Sequence, residues 1–180
     1  MRTATLVLVA YAVCLIFSAV WRLWPIELVR DAAPHLGALT ATYLGLNARN
    51  QVAPALAGSV ALGYLTDLVN GLPVGFGALV LALCGLVAVG VQRRILVRGL
   101  AMTIGFCGFV GVLASSLGWF IRLAYDVPRA SFGTELVHLF KASLATAIVG
   151  PAVWRLFRRV DAAFARTHRE RDAALEGLVP

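Results

Sequence analysis

Long stretches without a charged residue constrain this chain more than any other feature of its sequence. Residues 3–21 and 99–121 carry no Asp, Glu, Lys or Arg, and residues 50–92 carry one charge, Asp67. At about 1.5 Å per helical residue, such runs are long enough to cross the ~30 Å hydrocarbon core of a bilayer. The chain is also 60% apolar and 14% charged, outside the range of soluble domains. It is therefore predicted to be an integral membrane protein.

Six membrane spans are predicted from these runs and from shorter ones between them. The run around Asp67 divides into two spans at the turn sequence Asn70-Gly71-Leu72-Pro73, because glycine permits positive φ and proline begins a new segment. The second span is short, but Gly37, Ala41 and Gly45 recur every four residues and predict a face for close helix packing. The predicted spans are approximately 3–24, 32–48, 52–70, 74–92, 99–121 and 136–156.

The arginines predict the orientation of these spans. With both termini in the cytoplasm, the inner side carries eleven arginines and the outer side four, which agrees with the positive-inside rule. The inner arginines are Arg2, Arg49, Arg93, Arg94, Arg98, Arg155, Arg158, Arg159, Arg166, Arg169 and Arg171, and the outer ones are Arg22, Arg30, Arg122 and Arg129. The predicted fold class is an all-α, six-transmembrane-helix bundle in a plasma (inner) membrane. Because the excess arginines are accounted for by this orientation, no nucleic-acid partner is predicted.

The chain is predicted to divide into a membrane domain over residues 1–156 and a basic amphipathic cytoplasmic tail over 157–180. Apolar residues of the tail recur at helical spacing among arginines. Either the tail lies against the inner leaflet, with Phe157 and Phe164 inserted, or it is a docking helix for a cytoplasmic partner. Its predicted contact residues are Arg158, Arg159, Phe164 and Arg166.

No residue pattern typical of catalysis or of cofactor binding is found in the sequence. His35, His138 and His168 lie in three separate regions, without a cysteine or carboxylate at metal-ligand spacing. Gly75-Phe76-Gly77 opens like a dinucleotide-binding loop, but Val80 stands where the third glycine belongs. We therefore predict a protein that is not an enzyme and that has no metal ion and no cofactor.

Asp67 and Lys141 are charges inside predicted spans, both near the outer end of their helix. An unpaired charge costs about 2.5–3.5 kcal/mol at a helix centre on insertion scales, and less toward the interface. We therefore predict that Asp67 and Lys141 pair directly or through water, and that this pair joins the third span to the sixth. Two alternatives remain open for Lys141, namely contact with His138 and extension of its side chain to the lipid headgroups.

An ordered pattern of glycine, aspartate and proline runs through the third span and the turn after it. Its members are Gly58, Gly63, Asp67, Gly71, Pro73 and Gly75. The pattern resembles that of the rod-shape-determining membrane protein family MreD, in which an aspartate precedes a glycine by one turn and a Pro-x-Gly turn opens the fourth span. Pro34 and the Arg93-Arg94 pair also fit this family, whereas Asn70 stands where it usually has serine and Thr66 where it has an apolar residue.

This resemblance implies a scaffold in the bacterial inner membrane. MreD-like proteins sit beside the bitopic MreC and help to connect the MreB filament to RodA and its class B penicillin-binding transpeptidase, which build peptidoglycan during elongation. Small-residue helix faces suit such lateral packing in the bilayer.

A second resemblance is to the substrate-binding S component of energy-coupling-factor vitamin transporters, whose fold is thought to be similar to that of MreD. It implies a pocket for a small metabolite at the outer ends of the helices, near Asp67 and Lys141. The first span lacks the Ala-x-x-x-Ala docking face that those components commonly use.

Overall fold

The computed structural model describes residues 2–23, 32–48, 52–71, 73–92, 99–125 and 131–176, with side chains described between Ala4 and Ala163 apart from that of Arg22. Within these ranges the chain is all-α, as predicted, and forms six helices. They are α1 (Arg2–Arg22), α2 (Leu36–Leu46), α3 (Val52–Asn70), α4 (Phe76–Gln92), α5 (Leu100–Ala124) and α6 (Phe132–Glu176).

Four of these helices, α1, α3, α5 and α6, are long and apolar enough to cross a membrane. This indicates a helical membrane protein with several spans. The two other helices are shorter, with 11 residues in α2 and 17 in α4. At 1.5 Å per residue α2 is about 16 Å long, roughly half the thickness of a bilayer core. The second predicted span thus contains a helix too short to cross the core by itself, and six crossings remain a prediction.

The short helix α2 lies at the centre of the bundle. Nine of its eleven residues are buried, and it packs against all five other helices. A Cβ placed on Gly45 would lie 2.6 Å from the carbonyl oxygen of Gly85 in α4, and one on Gly37 would lie 3.1 Å from Leu81. The predicted small-residue face of this segment is therefore confirmed, because only residues of this size allow α2 and α4 to approach so closely.

Two hydrogen bonds join α2 and the residue before it to α6. The backbone N–H of His35 donates to Thr146 Oγ1 at 3.0 Å, and the indole N–H of Trp154 donates to the carbonyl oxygen of Leu39 at 3.3 Å. His35 precedes Leu39 in the chain and Thr146 precedes Trp154, so α2 and α6 run in the same direction. This direction is the one expected of the second and sixth helices of an alternating bundle.

Helix α6 continues past the predicted boundary between membrane domain and tail at residue 156. Phe157 is almost fully buried and lies 5.3 Å from the ring of Tyr43 in α2, so its side chain belongs to the protein core and not to the lipid. Arg158 and Arg159 are exposed, and their role as contact residues stays a prediction. The side chains of two further predicted contact residues, Phe164 and Arg166, lie outside the described residues.

In the described part of the chain, every helix except α2 carries large apolar side chains that are exposed. Phe109 and Phe120 of α5 and Phe140 and Ile148 of α6 are examples, each about half exposed or more. In water such a surface would drive aggregation, whereas hydrocarbon solvates it at no cost. The distribution of these side chains agrees with a bundle surrounded by lipid.

Candidate functional site: a capped turn and an outer cavity

Helix direction alternates along the chain, so the C-terminal ends of α1, α3 and α5 meet the N-terminal ends of α2, α4 and α6. We call this end of the bundle the outer end, because the predicted orientation places it outside the cytoplasm. It contains the two features described below, the turn between α3 and α4 and a cavity.

Asp67, near the C-terminus of α3, is 1% exposed and accepts hydrogen bonds from the backbone that begins α4. The N–H of Gly77 lies 2.8 Å from both carboxylate oxygens, and the N–H groups of Gly75 and Ala78 lie 3.1 and 3.4 Å from Oδ2. The first N–H groups of a helix have no partner within the helix, and its dipole is positive at this end. Asp67 therefore caps α4, and the helix terminus compensates the buried charge.

The turn that brings Asp67 to α4 requires glycine at two positions. Gly71 has φ +65° and Gly75 has φ +98°, both in the left-handed region that side chains with a Cβ rarely adopt. Pro73 lies between them, and its carbonyl oxygen accepts a hydrogen bond from the N–H of Phe76 at 3.1 Å. The turn predicted at 70–73 is therefore present, although Leu72 lies outside the described residues.

Close contact between α3 and α4 requires glycine at two further positions. A Cβ on Gly63 would lie 2.5 Å from the Cα of Ala78, so the backbones of the two helices touch there. A Cβ on Gly77 would collide with Oδ1 of Asp67. Gly58, also part of the predicted pattern, is half-buried in α3. Gly63, a member of the glycine, aspartate and proline pattern, therefore permits the close approach of α3 and α4.

The predicted direct ion pair between Asp67 and Lys141 is not formed. In the described part of the chain the two side chains are not within 4.0 Å of one another, and Lys141 is half-buried on α6. His138, its alternative partner, is exposed and makes no hydrogen bond there. Asp67 has backbone partners eight to eleven residues away in sequence, which are held in place by the turn and lose no side-chain entropy on pairing.

Gly77 and Ala78 are the residues of this site that sequence reasoning missed. The signal that could have found them is the sequence Gly75-Phe76-Gly77 after a turn proline, since two closely spaced glycines at a helix start expose backbone N–H groups to an anion. A glycine-rich helix start of this kind is typical of phosphate binding. The anion present is the carboxylate of Asp67.

The second feature is a cavity of about 850 Å³ at the outer end. It lies beside the start of α2, since Pro34, His35 and Leu36 are among its lining residues. All six helices contribute lining residues. Asp67 lines it and Lys141 does not. The volume is within the range of small-molecule sites, roughly 300–1,000 Å³.

Aromatic rings form much of the cavity wall. Phe17 and Trp21 of α1 are stacked with ring centroids 5.0 Å apart, and Trp119 of α5 packs edge to face on Phe132 of α6 at 6.0 Å. The aromatic lining residues are Phe17, Trp21, Phe76, Trp119, Phe120 and Phe132. Rings that pack against one another are already ordered, so their side chains would lose little conformational entropy if a molecule bound to their apolar faces.

Polar groups meet the cavity at its floor and at its rim. At the floor, the Nε2 atom of His35 lies 2.8 Å from the hydroxyl of Ser115. At the rim, Arg122 and Glu135 form an ion pair at 3.5 Å, and the guanidinium carbon of Arg122 lies 5.8 Å from the ring centroid of Phe76. This combination of apolar walls and a few fixed polar groups is typical of a binding site.

Among the described residues, no three His, Cys, Asp or Glu side chains are grouped closely enough to hold a metal ion. No family model matches the chain, and no curated protein or solved structure is significantly similar to it. The function is therefore inferred from the geometry of the outer end together with the residue pattern at 58–75.

Proposed function

We propose that this protein is a non-enzymatic scaffold of the bacterial cell-elongation machinery, similar to MreD, in the inner membrane. Its partners are the bitopic MreC and, through it or directly, MreB, RodA and the class B penicillin-binding transpeptidase. In this role the protein holds its partners together during lateral growth of the peptidoglycan wall and so maintains rod shape.

The observation that carries this proposal is the capping of α4 by Asp67. The residues of the pattern that resembles MreD are common ones. If they occurred together by chance, they would not be expected to take part in the same turn. Here Asp67 accepts the N–H of Gly75, Gly71 and Gly75 adopt positive φ, and Gly63 brings the two backbones together. Their joint use in one turn supports the resemblance on which the scaffold role is based.

The exposed face of α5 around Gly105 supports lateral association in the membrane. Gly105 is exposed, and a Cβ placed on it would meet no atom within 4 Å, so the helix backbone is accessible there. Exposed Ile104 and Phe109 flank it on the same helix. Small residues of this kind allow a second transmembrane helix to approach closely, and van der Waals contact drives such association in lipid.

The test is affinity purification of the tagged protein from gently solubilised bacterial membranes. We expect MreC and RodA to be recovered with the wild-type protein. Asp67→Ala should reduce their recovery at least tenfold and produce rounded cells, because α4 loses its cap and the outer end of the bundle changes shape. Glu135→Gln is the matched control, since it neutralises another carboxylate at the outer end without disturbing the turn.

Size-exclusion profiles of both variants show whether a loss of partners reflects a loss of fold. Normal cell shape with Asp67→Ala, or a wild-type protein that recovers neither MreC nor RodA, would contradict the scaffold role.

The outer cavity favours a second candidate function, the S component of an energy-coupling-factor transporter. Its position at the outer ends of the helices is the one that this resemblance implies. The same purification distinguishes the two candidates, because an S component should be recovered with a pair of ATPases and a bound vitamin and without MreC.

A further inference from the structure

We infer that one side of α6 is a docking surface for a transmembrane helix of another protein, and that this helix carries an aspartate or glutamate that pairs with Lys141. The contact requires no scaffold role, because it involves only this surface and the acid of the partner. Three observations support it, namely the position of Lys141 on α6, its depth in the membrane, and the engagement of the described carboxylates by other groups.

Lys141 lies within an exposed apolar face of α6. Val137, Lys141, Leu144 and Ile148 are spaced by four, three and four positions, which places them on one side of a helix. We call these four residues the Lys141 face. Its three apolar side chains are exposed, and Lys141 is half-buried. In a bilayer this face is covered either by lipid or by another membrane protein, so the lysine is directed away from the bundle.

The depth of Lys141 makes its charge costly in lipid. The nearest Asp, Glu or Arg residues on either side of it in α6 are Glu135 and Arg155, which are separated by about 30 Å of helix, the thickness of a bilayer core. Lys141 follows Glu135 by six residues and therefore lies about 9 Å inside the core. Charged side chains at such depth are rare and as a rule pair with another group. Lys141 is therefore expected to have a partner at its own level.

The carboxylates in the described part of the chain are engaged elsewhere. Asp67 accepts hydrogen bonds from the start of α4, and Glu135 pairs with Arg122 at 3.5 Å. Asp161 accepts a hydrogen bond from a tyrosine of α2 at the inner end of α6. Within the same residues Lys141 forms neither an ion pair nor a hydrogen bond. A second copy of the chain would offer the same engaged carboxylates, so charge complementarity favours an acid from a different protein.

A transmembrane helix fits this surface better than a phospholipid headgroup does. A headgroup phosphate would have to move about 9 Å into the core, or the half-buried lysine would have to leave its packing and extend over Val137. A carboxylate on a neighbouring helix reaches the same level without deforming the bilayer. Half-buried Ala145 and exposed Ala152 lie beside the Lys141 face, and small residues there allow a second helix backbone to approach closely.

The test uses two leucine-based transmembrane peptides that carry a dansyl group and contain neither lysine nor tryptophan. One has a glutamate about 9 Å from the end of its apolar segment, and the other has a glutamine at the same position. The full chain is reconstituted in phosphatidylcholine vesicles with dilute peptide. Association is measured as energy transfer from the tryptophans of the protein to the dansyl group. We expect the glutamate peptide to associate at least fivefold more tightly than the glutamine peptide.

Three substitutions of Lys141 test the charge, with a control on the same helix. Lys141→Met, which is similar in shape and uncharged, should abolish the preference for glutamate, and Lys141→Arg should retain it. Lys141→Glu should reverse it, so that a peptide with lysine at this position associates more tightly than the glutamate peptide. Arg155→Met removes an exposed cation at the inner end of α6 and should leave the preference unchanged.

The contact can also be located chemically, because Lys141 is the only lysine of the chain. Dicyclohexylcarbodiimide enters the hydrocarbon and activates the carboxyl group of the peptide, and attack by a lysine amine then forms an amide bond with release of dicyclohexylurea. Mass mapping should place this bond at Lys141 in the wild-type protein and detect none in Lys141→Arg.

Unfolding temperatures distinguish docking from a role inside the bundle. Without a peptide present, Lys141→Met should unfold at a temperature equal to or above that of the wild type, because a charge without a partner has been removed. A lower unfolding temperature would show that Lys141 pairs within the chain and would overturn the inference.

Equal association of the glutamate and glutamine peptides, or a preference for glutamate that persists in Lys141→Met, would overturn it as well. So would native mass spectrometry that finds no bound peptide and a phospholipid, or a second copy of the chain, that the wild type retains and Lys141→Met loses. None of these measurements involves MreC or RodA, so failure of this inference is distinguishable from failure of the scaffold role.

Discussion

The phenol of Tyr43 donates a hydrogen bond to Oδ2 of Asp161 at 2.9 Å, which joins the inner end of α2 to the part of α6 beyond the predicted membrane domain. His35 and Leu39, four residues apart in the chain, contact α6 through two further hydrogen bonds. The part of α6 beyond residue 156, which continues to Glu176, is thus connected to α2 through Tyr43, and α2 follows directly after His35 at the floor of the outer cavity.

We predict that Tyr43 and Asp161 are energetically coupled. Tyr43→Phe and Asp161→Ala should each destabilise the protein, and the double variant should lose less than the sum of the two, with a coupling free energy of about 0.5–3 kcal/mol. The measurement is a double-mutant cycle on unfolding in mixed detergent micelles. Tyr11→Phe, which removes the hydroxyl group of a half-buried α1 residue, serves as the control and should be additive with Asp161→Ala.

We predict that loss of the carboxylate of Asp67 destabilises the bundle. Asp67→Ala leaves the half-buried N–H groups of Gly75 and Gly77 without this acceptor, at a cost of about 1–3 kcal/mol. Asp67→Asn should lose less stability, because the amide oxygen of asparagine can still accept the hydrogen bond from Gly77. Its N–H₂ group replaces the other carboxylate oxygen and cannot accept a hydrogen bond. Thermal unfolding in detergent gives both values. Equal stability of Asp67→Ala and wild type would show that the cap contributes nothing.

We predict opposite effects of alanine at two glycines of α4. Gly77→Ala should destabilise strongly, because the new Cβ collides with Asp67 and displaces the cap. Gly90→Ala, where no atom lies within 4 Å of the new Cβ, should stabilise by up to about 1 kcal/mol through the higher helix propensity of alanine. Unfolding midpoints of both variants check the prediction, which fails if the two substitutions shift the midpoint in the same direction.

We predict that two buried hydroxyl groups on α6 have opposite effects on stability. The Oγ of Ser143 is buried without a hydrogen-bond partner among the described residues, so Ser143→Ala should stabilise by about 1 kcal/mol. Thr146 accepts the His35 N–H, so the isosteric Thr146→Val should destabilise by about 1–3 kcal/mol by leaving that N–H unpaired. The free energies of unfolding of the two variants are the measurement, and a loss of stability in Ser143→Ala would contradict the first part.

We predict that the two ends of α6 lie on opposite sides of the membrane. In a background without the three native cysteines, a cysteine at exposed Gly133 should react with a membrane-impermeant maleimide added outside the cell. A cysteine at exposed Ala162 should react only after the membrane is opened. Labelling of Ala162→Cys in intact cells would reverse the predicted orientation.

The positions of α1, α3, α4 and α5 follow from the sequence to within three residues at each end, whereas α2 is shorter and α6 longer than predicted. The predicted span at 52–70 coincides with α3, and the spans at 74–92 and 99–121 begin or end within three residues of α4 and α5. Hydropathy along the chain suffices for this, because a run of apolar residues in lipid has to satisfy its backbone hydrogen bonds internally and forms a helix. The positive φ of Gly71 and Gly75 in the turn also follows from local sequence, because glycine is the residue that adopts this conformation without strain.

The partner of Asp67 was not predictable in this way. Sequence reasoning compared Asp67 with other charged side chains and selected Lys141, although the first N–H groups of α4 also carry partial positive charge. Choosing between them requires the path of the turn, which places Gly77 beside the carboxylate. The position of Phe157 was missed for a similar reason, since its burial depends on Tyr43, more than a hundred residues away.

The sequence by itself determined the membrane setting, the all-α class and the places where the chain turns, because these depend on local composition and on the φ that glycine and proline permit. Only the tertiary structure decided that α2 is short and central, that His35 lies at the floor of a cavity, and that Asp67 caps a helix and forms no direct ion pair with Lys141. Those outcomes depend on which helix ends meet in space. Contacts of this kind arise from packing between distant segments, and hydropathy along one segment carries no information about them.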